Sequence, residues 1–284
     1  MPLLSETTPA DERKLIANCH QVIKVTHKLD ERELAAVTRC LSVMTEGMHK
    51  YQRISGLHGL ADIAQVDEYC YFVAGVVGEM LTELFCCYSP EIQSRRSRLM
   101  RLAPSFGQGL QMTNILKDVW EDHRRGTCWL PRSGFDADPG RIGDLLGQTD
   151  PQTYRDGMRT LISIAHFHLR NALDFTLLIP AHETGIRRFC LWAQGLAVLT
   201  LRKIHRHPDF TSGQEVKVTR RTVGLVVAVC SRCASHNRIL RCLFASVSIG
   251  LPKGTSIVTC NWPTTFDAGS YDETAARGTL DIKK

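Results

Sequence analysis

The sequence predicts an all-α protein organised as a single helical domain. Nearly every periodic segment repeats its apolar residues at the spacing of an α-helix, and alternating strand patterns are nearly absent. A chain of 284 residues, 43% of them apolar, is long enough to bury a substantial core. We assign residues 1–251 to the helical domain. Residues 252–284 form an irregular tail, because the periodicity is lost there.

The helical periodicity divides the chain into seven segments with breaks between them. The Gly-rich stretch ISGLHGLADI predicts a break after the second helix, and WLPRSGFDADPGRIGD predicts a loop by its Pro, Gly and Asp content. Pro104 predicts a kink within the fourth helix. The predicted helices span residues 10–28, 31–50, 66–88, 95–124, 151–179, 183–206 and 219–246.

The composition is that of a soluble globular protein. Charged residues make up 23% of the chain, and the net charge is +6. No run of 18 uncharged apolar residues occurs, so we expect no transmembrane span. The chain starts without the pattern of a signal peptide, and its eleven cysteines show no framework spacing. We therefore expect reduced thiols and a cytoplasmic location.

Two late patterns leave alternatives open. Cys230, Cys233 and His236 are spaced like metal ligands, but no second pair accompanies them, and buried thiols are the expected explanation. Residues 202–241 contain nine Lys or Arg against two acids. This basic stretch could bind phosphate or anionic lipid, or it could simply form a solvent-exposed surface. It lacks the interleaved aromatic residues of nucleic-acid binders, so nucleic acid is not an expected partner.

The segment QMTNILKDVWEDHRRG places acids at the C-terminal end of a helix, where the helix dipole disfavours them. On a helical wheel, Gln111, Asn114, Asp118 and Asp122 form one stripe. Two carboxylates four residues apart can hold Mg²⁺, which prefers oxygen ligands and shares its shell with phosphates. The alternative is a solvated face whose acids pair with neighbouring basic residues.

Small residues accompany these acids. Ala103 and Gly107 precede the stripe on its own helix, and the nearly all-apolar segment 67–85 contains Ala74 and Gly78 on one face. Interior glycines cost a helix about 1 kcal/mol each relative to alanine. For segment 67–85 the cost implies either close helix packing or space for an apolar ligand, and composition alone favours packing. Ala103 and Gly107 are expected to make room for an apolar ligand whose polar head reaches the acids.

These two segments resemble the squalene and phytoene synthases, the head-to-head isoprenyl diphosphate synthases. YCYFVAGVVGEMLTELF is similar to the family's Y-C-x-x-V-A-G-x-V-G helix. GQGLQMTNILKDVWEDHRRGTCWLP is similar to its second aspartate-rich segment, Q-x-x-N-I-x-R-D-x-x-E-D followed by L-P. The resemblance covers roughly residues 30–250. It implies an isoprenoid-synthase type of helical fold around a central apolar cavity.

The resemblance also implies roles for individual residues. Asp118, Asp122 and Asn114 would hold Mg²⁺ bridging to a diphosphate, and Tyr69 would act with the two aspartates in catalysis. The implied substrate-binding residues are Val73, Ala74, Val77, Gly78, Ala103, Gly107, Leu110, Gln111, Asn114, Lys117 and Arg221.

The sequence departs from the family pattern in two ways. Lys117 stands where the family usually has arginine. The lysine keeps the positive charge but lacks the planar guanidinium group that binds two oxygens at once. The family's first D-x-x-x-D motif does not appear; in register with the family it would fall before Met1. We therefore expect the domain to lack its first one or two helices, and ionisation of an allylic diphosphate to be impaired.

The expected function is the Mg²⁺-dependent head-to-head condensation of two prenyl diphosphates. Farnesyl diphosphate is the preferred substrate, and squalene, dehydrosqualene or phytoene is the product, with release of diphosphate. NADPH stays open as a cofactor, because no dinucleotide fingerprint appears and relatives without a reductive step look alike. The alternative is a catalytically inactive, truncated relative that binds prenyl diphosphate or acts only as an interaction protein. Peripheral membrane association also stays open, and the oligomeric state is not predicted.

Overall fold

A computed structural model describes residues 8–135 and 151–254. These residues are helical with short connections and contain no β-strand, which confirms the all-α prediction. In chain order the elements are α1 (Ala10–Ala17), α2 (Cys19–Thr26), α3 (Glu31–Ile54), α4 (Ile63–Cys70), a π-helical turn (Tyr71–Gly75), α5 (Val76–Tyr88), α6 (Pro90–Gln93), α7 (Arg96–Arg124), a 3₁₀ turn (Arg132–Gly134), α8 (Pro151–Leu178), α9 (Thr184–Arg206), α10 (Gly213–Val216), α11 (Arg220–Cys233) and α12 (Asn237–Val247).

Local capping explains where two long helices begin. Asp30 and Glu33 form a reciprocal capping box at the start of α3, with the Glu33 amide 2.8 Å from the Asp30 carboxylate. Asp62 caps α4 by accepting from the Gln65 amide at 2.8 Å. The break predicted between these helices is present, and α4 begins three residues earlier than the periodicity indicated.

Two predicted helices are each divided in the structure. The segment 10–28 breaks at Asn18, whose side-chain amide donates to the Lys14 carbonyl at 2.7 Å. Such local bonds compete with helix continuation. The segment 219–246 breaks between α11 and α12, where the backbone of the N-cap residue His236 is not helical, with φ of −112° and ψ of 85°. Apolar periodicity does not report either break.

The core forms around α7, which packs against α8, α9, α5 and the π-helical turn. Pro104 lies inside α7 without ending it. The largest buried cluster joins α7 to α8 and α9 through side chains such as Leu116, Met158 and Leu201, each at most 1% exposed. The C-terminal half of α7 is thus held rigidly from several sides.

The continuous helical stretch Ile63–Tyr88 is long and apolar enough to cross a membrane by those two criteria alone. Half of its most apolar 18-residue window is buried inside the protein. It contacts α3 and α7 along its length, and its Glu79 and Glu83 carboxylates are buried against Arg39 and Arg96 respectively. These contacts are those of a core helix.

The end of the domain is tied to α8. Leu251 is 8% exposed within the main core cluster, and the Pro252 carbonyl lies 3.0 Å from Nδ1 of His166. The predicted tail from 255 onward and the predicted loop from 136 to 144 lie outside the described residues.

Candidate active site

Six of the predicted site residues meet in one cleft at the C-terminal end of α7. The cleft has a volume of about 300 Å³. We call it the acid cleft; it is lined by Tyr69, Gln111, Asn114, Ile115, Lys117, Asp118, Asp122, Arg125 and Trp129. The helical stripe predicted from the sequence therefore faces a shared space.

The chain turns away immediately after the acids. Gly126 adopts a positive φ of 82°, the left-handed conformation typical of the residue after a helix. The amide and the hydroxyl of Thr127 both donate to the Asp122 carbonyl, at 3.0 and 3.2 Å. The two aspartates consequently stand at an open helix end and are not enclosed by a further turn.

Basic groups surround the two carboxylates. Nζ of Lys117 lies 3.1 Å from the Asp118 carboxylate and donates to the Asn114 amide oxygen at 3.3 Å. Arg125 approaches Asp122 at 3.9 Å. Burial, and then the neighbouring Asp118 charge, raise the pKa of Asp122 above its ordinary value. A cation bound between the aspartates would relieve both penalties, so the oxygen donors present fit Mg²⁺.

The third acid of the segment does not belong to this cleft. The Glu121 carboxylate accepts from the Gly213 amide at 3.2 Å and from the Ser212 hydroxyl at 3.3 Å, and pairs with Arg124. It holds the start of α10 against α7. Within the described part of the chain, no group of three or more His, Cys, Asp or Glu side chains could share a metal. Cys230, Cys233 and His236 are accordingly not grouped in a way that could hold a metal ion.

An aromatic pair forms one wall of the acid cleft. The rings of Tyr69 and Trp129 stack at 4.2 Å with an interplanar angle of 7°, and Tyr51 packs edge-on against Tyr69 at 5.0 Å. Burial, the Cys70 thiol and the Asp122 charge raise the pKa of Tyr69 to about 12. The phenol therefore stays protonated at neutral pH and is available as a hydrogen-bond donor.

Sequence reasoning missed Trp129, which a backbone pairing brings to the cleft. The Leu60 amide donates to the Leu130 carbonyl at 2.9 Å, and the Arg132 amide donates to the Leu60 carbonyl at 2.8 Å. These bonds fold the segment after α7 back along the loop before α4, beside Tyr69. The only signal for Trp129 in the sequence was its place in the TCWLP stretch, which closes the aspartate-rich segment.

The small residues predicted to open space for a ligand lie instead at a close helix crossing. A side chain at Gly78 would place its Cβ 2.1 Å from the Ala103 carbonyl oxygen, and one at Gly107 would meet the Ala74 carbonyl at 1.9 Å. The two backbones are in direct contact there, and Ala103 is fully buried. Close helix packing therefore accounts for the small size of these residues, and the substrate-binding role of Gly78, Ala103 and Gly107 stays a prediction.

The remaining predicted residues do not reach the acid cleft. Leu110 packs between two core clusters, and Arg221 lies exposed on α11. The half-buried Val73, Ala74 and Val77 lie on the π-helical turn and the start of α5, and their lining role stays a prediction.

A buried polar cluster supports the helix that carries Tyr69. Asp67 is 1% exposed and lies 3.2 Å from Nε2 of His168, while the Gln108 amide donates to the same carboxylate oxygen at 2.8 Å. Nδ1 of His168 contacts the Ser105 hydroxyl at 3.1 Å. The cluster joins α4, which carries Tyr69, to α7 and α8.

A model of the squalene/phytoene synthase family matches residues 4–222. This chain belongs to the squalene/phytoene synthase family. Its acid cleft combines the family's second aspartate segment and the tyrosine helix, the two motifs on which the resemblance rested.

Individual members of the squalene/phytoene synthase family are similar over most of this chain. The squalene synthase of Gibberella zeae is 25% identical over 226 residues, which cover 78% of this chain and 47% of that protein. The squalene synthase of Saccharomyces cerevisiae is 27% identical over 213 residues, which cover 74% of this chain and 47% of that protein. The chain thus spans about half the length of the curated relatives it matches.

The fold is shared with solved structures of this family. A structure of TcSQS in complex with a ligand superposes with a TM-score of 0.68 at 19% identity, over 89% of this chain and 72% of that chain. A second TcSQS complex superposes with a TM-score of 0.66 at 18% identity, over 86% of this chain and 69% of that chain. These matches confirm the isoprenoid-synthase type of helical fold.

Proposed function

We propose that this protein binds prenyl diphosphates in the acid cleft and condenses two of them head-to-head, with farnesyl diphosphate as substrate. Membership of the squalene/phytoene synthase family supports the reaction class. The observation that carries the proposal is the convergence of Asp118, Asp122 and Asn114 with Lys117 and Arg125 around one cleft. This set offers oxygen ligands to a metal and cations to a diphosphate.

Asp118, Asp122 and Asn114 would hold Mg²⁺, which supplies positive charge that stabilises a leaving diphosphate. Lys117 and Arg125 add positive charge on the same side and hold the diphosphate oxygens.

The aromatic wall has a complementary part. The protonated Tyr69 phenol donates a hydrogen bond to an oxygen in the cleft, and the Trp129 ring keeps that phenol in place and excludes water from one side. The faces of both rings carry the electron density that attracts a carbocation.

In the condensation, the C–O bond of one substrate breaks and diphosphate leaves with the electron pair. The allylic carbocation then adds to a double bond of the second chain, and a proton is lost as a cyclopropyl product forms. Loss of the second diphosphate, again with its electron pair, and rearrangement give a second carbocation, which becomes squalene if NADPH donates a hydride to it or dehydrosqualene if it loses a proton.

A second candidate function is the binding of prenyl diphosphate without turnover. It is favoured by the acid pair itself, since no third His, Cys, Asp or Glu joins Asp118 and Asp122 among the described residues. One metal-binding motif is enough to hold a diphosphate, whereas ionising it needs more positive charge.

Product formation tests the proposal and separates the two candidates. The purified chain is incubated with farnesyl diphosphate, Mg²⁺ and NADPH, and the extract is analysed for a C30 hydrocarbon and released diphosphate. We expect product that Asp118→Ala reduces at least a hundredfold. Mg²⁺-dependent binding of a farnesyl thiodiphosphate, measured by calorimetry without any product, would support the binding function. The absence of both product and binding would refute both candidates.

A further inference from the structure

Arg187 is a completely buried arginine that forms no ion pair with any described carboxylate. It lies near the start of α9 and is 0% exposed. Leu191 and Val198 follow it on the same inward face of α9, four and eleven residues further along the chain, and both are buried. The helix therefore directs a positive charge into the protein at a position that otherwise suits an apolar side chain.

The guanidinium of Arg187 reaches the start of α12 and still has unused donors. Its Nη2 donates to the side-chain oxygen of Asn237, which is the first residue of α12. Its Nε and Nη1 atoms are buried and have no hydrogen-bond partner among the described residues. Burial lowers the pKa of Arg187, an effect that the neighbouring Cys190 opposes. A buried charge without a partner is strongly unfavourable, so an anion bound here would stabilise the fold.

The N-terminus of α12 supplies a second set of unused donors at the same place. The N-cap residue is His236, and no side chain caps this helix of 11 residues. The Leu240 amide donates to the His236 carbonyl at 3.0 Å, and the amides of the first three helical residues have no acceptor within the helix. The helix dipole adds partial positive charge. From Val216 to Gly254 the chain contains no Asp or Glu that could neutralise it.

We propose that Arg187 and the N-terminus of α12 form a binding site for a phosphate group. Asn237 is exposed, so rotation of its side chain lets a phosphate reach the guanidinium. The phosphate oxygens then accept from Arg187 and from the first amides of α12. Arginine side chains and helix N-termini are both recurring phosphate donors in proteins. A tetrahedral phosphate has oxygens for both sets of donors, whereas a planar carboxylate has only two.

This phosphate site is separate from the acid cleft. The acid segment contacts the chain beyond the other end of α9, where the Gly213 amide donates to Glu121 at 3.2 Å. Arg187 lies on the order of 30 Å along the helix axis from Arg206, the last residue of α9. The two sites share no residue. The inference therefore does not depend on the proposed condensation reaction.

Thermal unfolding of the full chain tests this inference. Inorganic phosphate is the probe, EDTA is present throughout, and sodium chloride at matched ionic strength is the reference. We expect saturating phosphate to raise the Tm of the wild type by about 3 °C or more. Arg187→Met should abolish this gain, whereas Arg188→Met, which removes the same charge at an exposed position, should retain it. Without phosphate, Arg187→Met should melt at or above the wild type, because an unpaired buried charge is removed.

A substitution at the exposed Asn237 provides a second test that leaves the buried arginine in place. Asn237→Asp gives Arg187 a counter-ion, so this variant should melt above the wild type without phosphate. In calorimetry it should bind phosphate about tenfold more weakly or less. Asn237→Ala adds no charge and should bind phosphate within about threefold of the wild type.

Three outcomes would overturn the inference. The first is a wild type whose Tm responds to phosphate no more than to sodium chloride. The second is a phosphate-dependent gain that Arg187→Met retains, because phosphate would then bind elsewhere. The third is an Asn237→Asp protein that binds phosphate as tightly as the wild type, and this result decides the matter even if Arg187→Met fails to fold.

Discussion

At the residue scale, the main feature of the acid cleft is the electrostatic repulsion between Asp118 and Asp122. They stand at a helix end where the dipole is unfavourable, and each is next to a basic group on its own helix or turn. Burial and the Asp118 charge raise the pKa of Asp122. Such an arrangement costs stability in the absence of a ligand and is relieved when a cation binds.

The raised pKa of Asp122 predicts a pH-dependent gain in stability for Asp122→Asn. A carboxyl whose folded-state pKa lies above its unfolded value favours folding when protonated, and this advantage is lost as pH rises through the folded pKa. Without metal, Asp122→Asn should therefore melt at a higher temperature than the wild type at pH 7, and the difference should vanish below about pH 4.

Adding Mg²⁺ supplies the matched control in the same melting experiment. The wild type should gain stability, since a ligand that binds only the folded state shifts unfolding by mass action. Asp122→Asn should gain little. A variant that melts below the wild type at pH 7 without metal would contradict the assignment of strain to this carboxylate.

Trp129 offers a prediction on the aromatic wall. Trp129→Ala removes the stack on Tyr69, and stacked pairs contribute about 0.5–1.5 kcal/mol. We expect the Kd for farnesyl thiodiphosphate with Mg²⁺ to rise about tenfold, the upper part of that range. Trp129→Phe keeps a ring and should stay within about threefold of the wild type. Equal affinity of all three proteins in calorimetry would rule out a binding role for this ring.

At the element scale, the crossing of α7 with α5 and the π-helical turn is the tightest contact described. Gly78 and Gly107 bring the two backbones together, and the same α7 then continues into the acid stripe. The position of the acids therefore depends on a contact that only the smallest residue permits. Gly78 and Gly107 act on the site through the placement of α7.

Two glycine substitutions with opposite expected signs test this packing. Gly107→Ala places its Cβ 1.9 Å from the Ala74 carbonyl, and overpacking of this kind costs about 1–3 kcal/mol or more. Gly224→Ala lies in the interior of α11 with no atom within 4 Å of the added group, and should gain up to about 1 kcal/mol.

Thermal unfolding provides the measurement for both variants. For a domain of this size, Gly107→Ala should lower Tm by about 5 °C or more, and Gly224→Ala should raise it by about 2 °C. A Gly107→Ala protein with unchanged Tm would mean that the helix crossing is looser than described.

At the scale of the whole molecule, apolar surface is unevenly distributed. The helices α1 and α2 bury none of their residues, and Leu15, Val22 and Ile23 are each more than half exposed. Their described hydrogen bonds are local to the segment, and α3 begins with its own capping box. The first two helices therefore contribute little to the stability of the rest.

Deletion of residues 1–28 should consequently leave the remaining domain intact. We expect the shortened protein to unfold within about 1 °C of the full chain, because none of the residues of α1 and α2 is fully buried. Differential scanning calorimetry checks this, with circular dichroism to confirm that the other helices persist. A drop of more than a few degrees would show that α1 and α2 stabilise the domain through contacts outside the described ones.

The sequence predicted the helices and the acid stripe because both depend on local spacing. Asp118 and Asp122 share a face at four residues' separation in any helix, and the structure places that face on a cleft. Trp129 could not be predicted, since a long-range backbone pairing with Leu60 brings it there. The close packing at Gly107 could not be predicted either, because it depends on the position of the Ala74 carbonyl on another helical segment.

The π-helical turn at Tyr71–Gly75 has a consequence for tolerated changes in chain length. Such a turn accommodates one residue more than an α-helix of the same rise, as though a residue had been inserted into a regular helix. Removing one residue there would restore α-helical winding and keep the flanking phases of α4 and α5 compatible. Elsewhere in this stretch a one-residue deletion would turn every following side chain by about 100°. Chain-length variation in this stretch should therefore concentrate at this turn, directly after the tyrosine of the acid cleft.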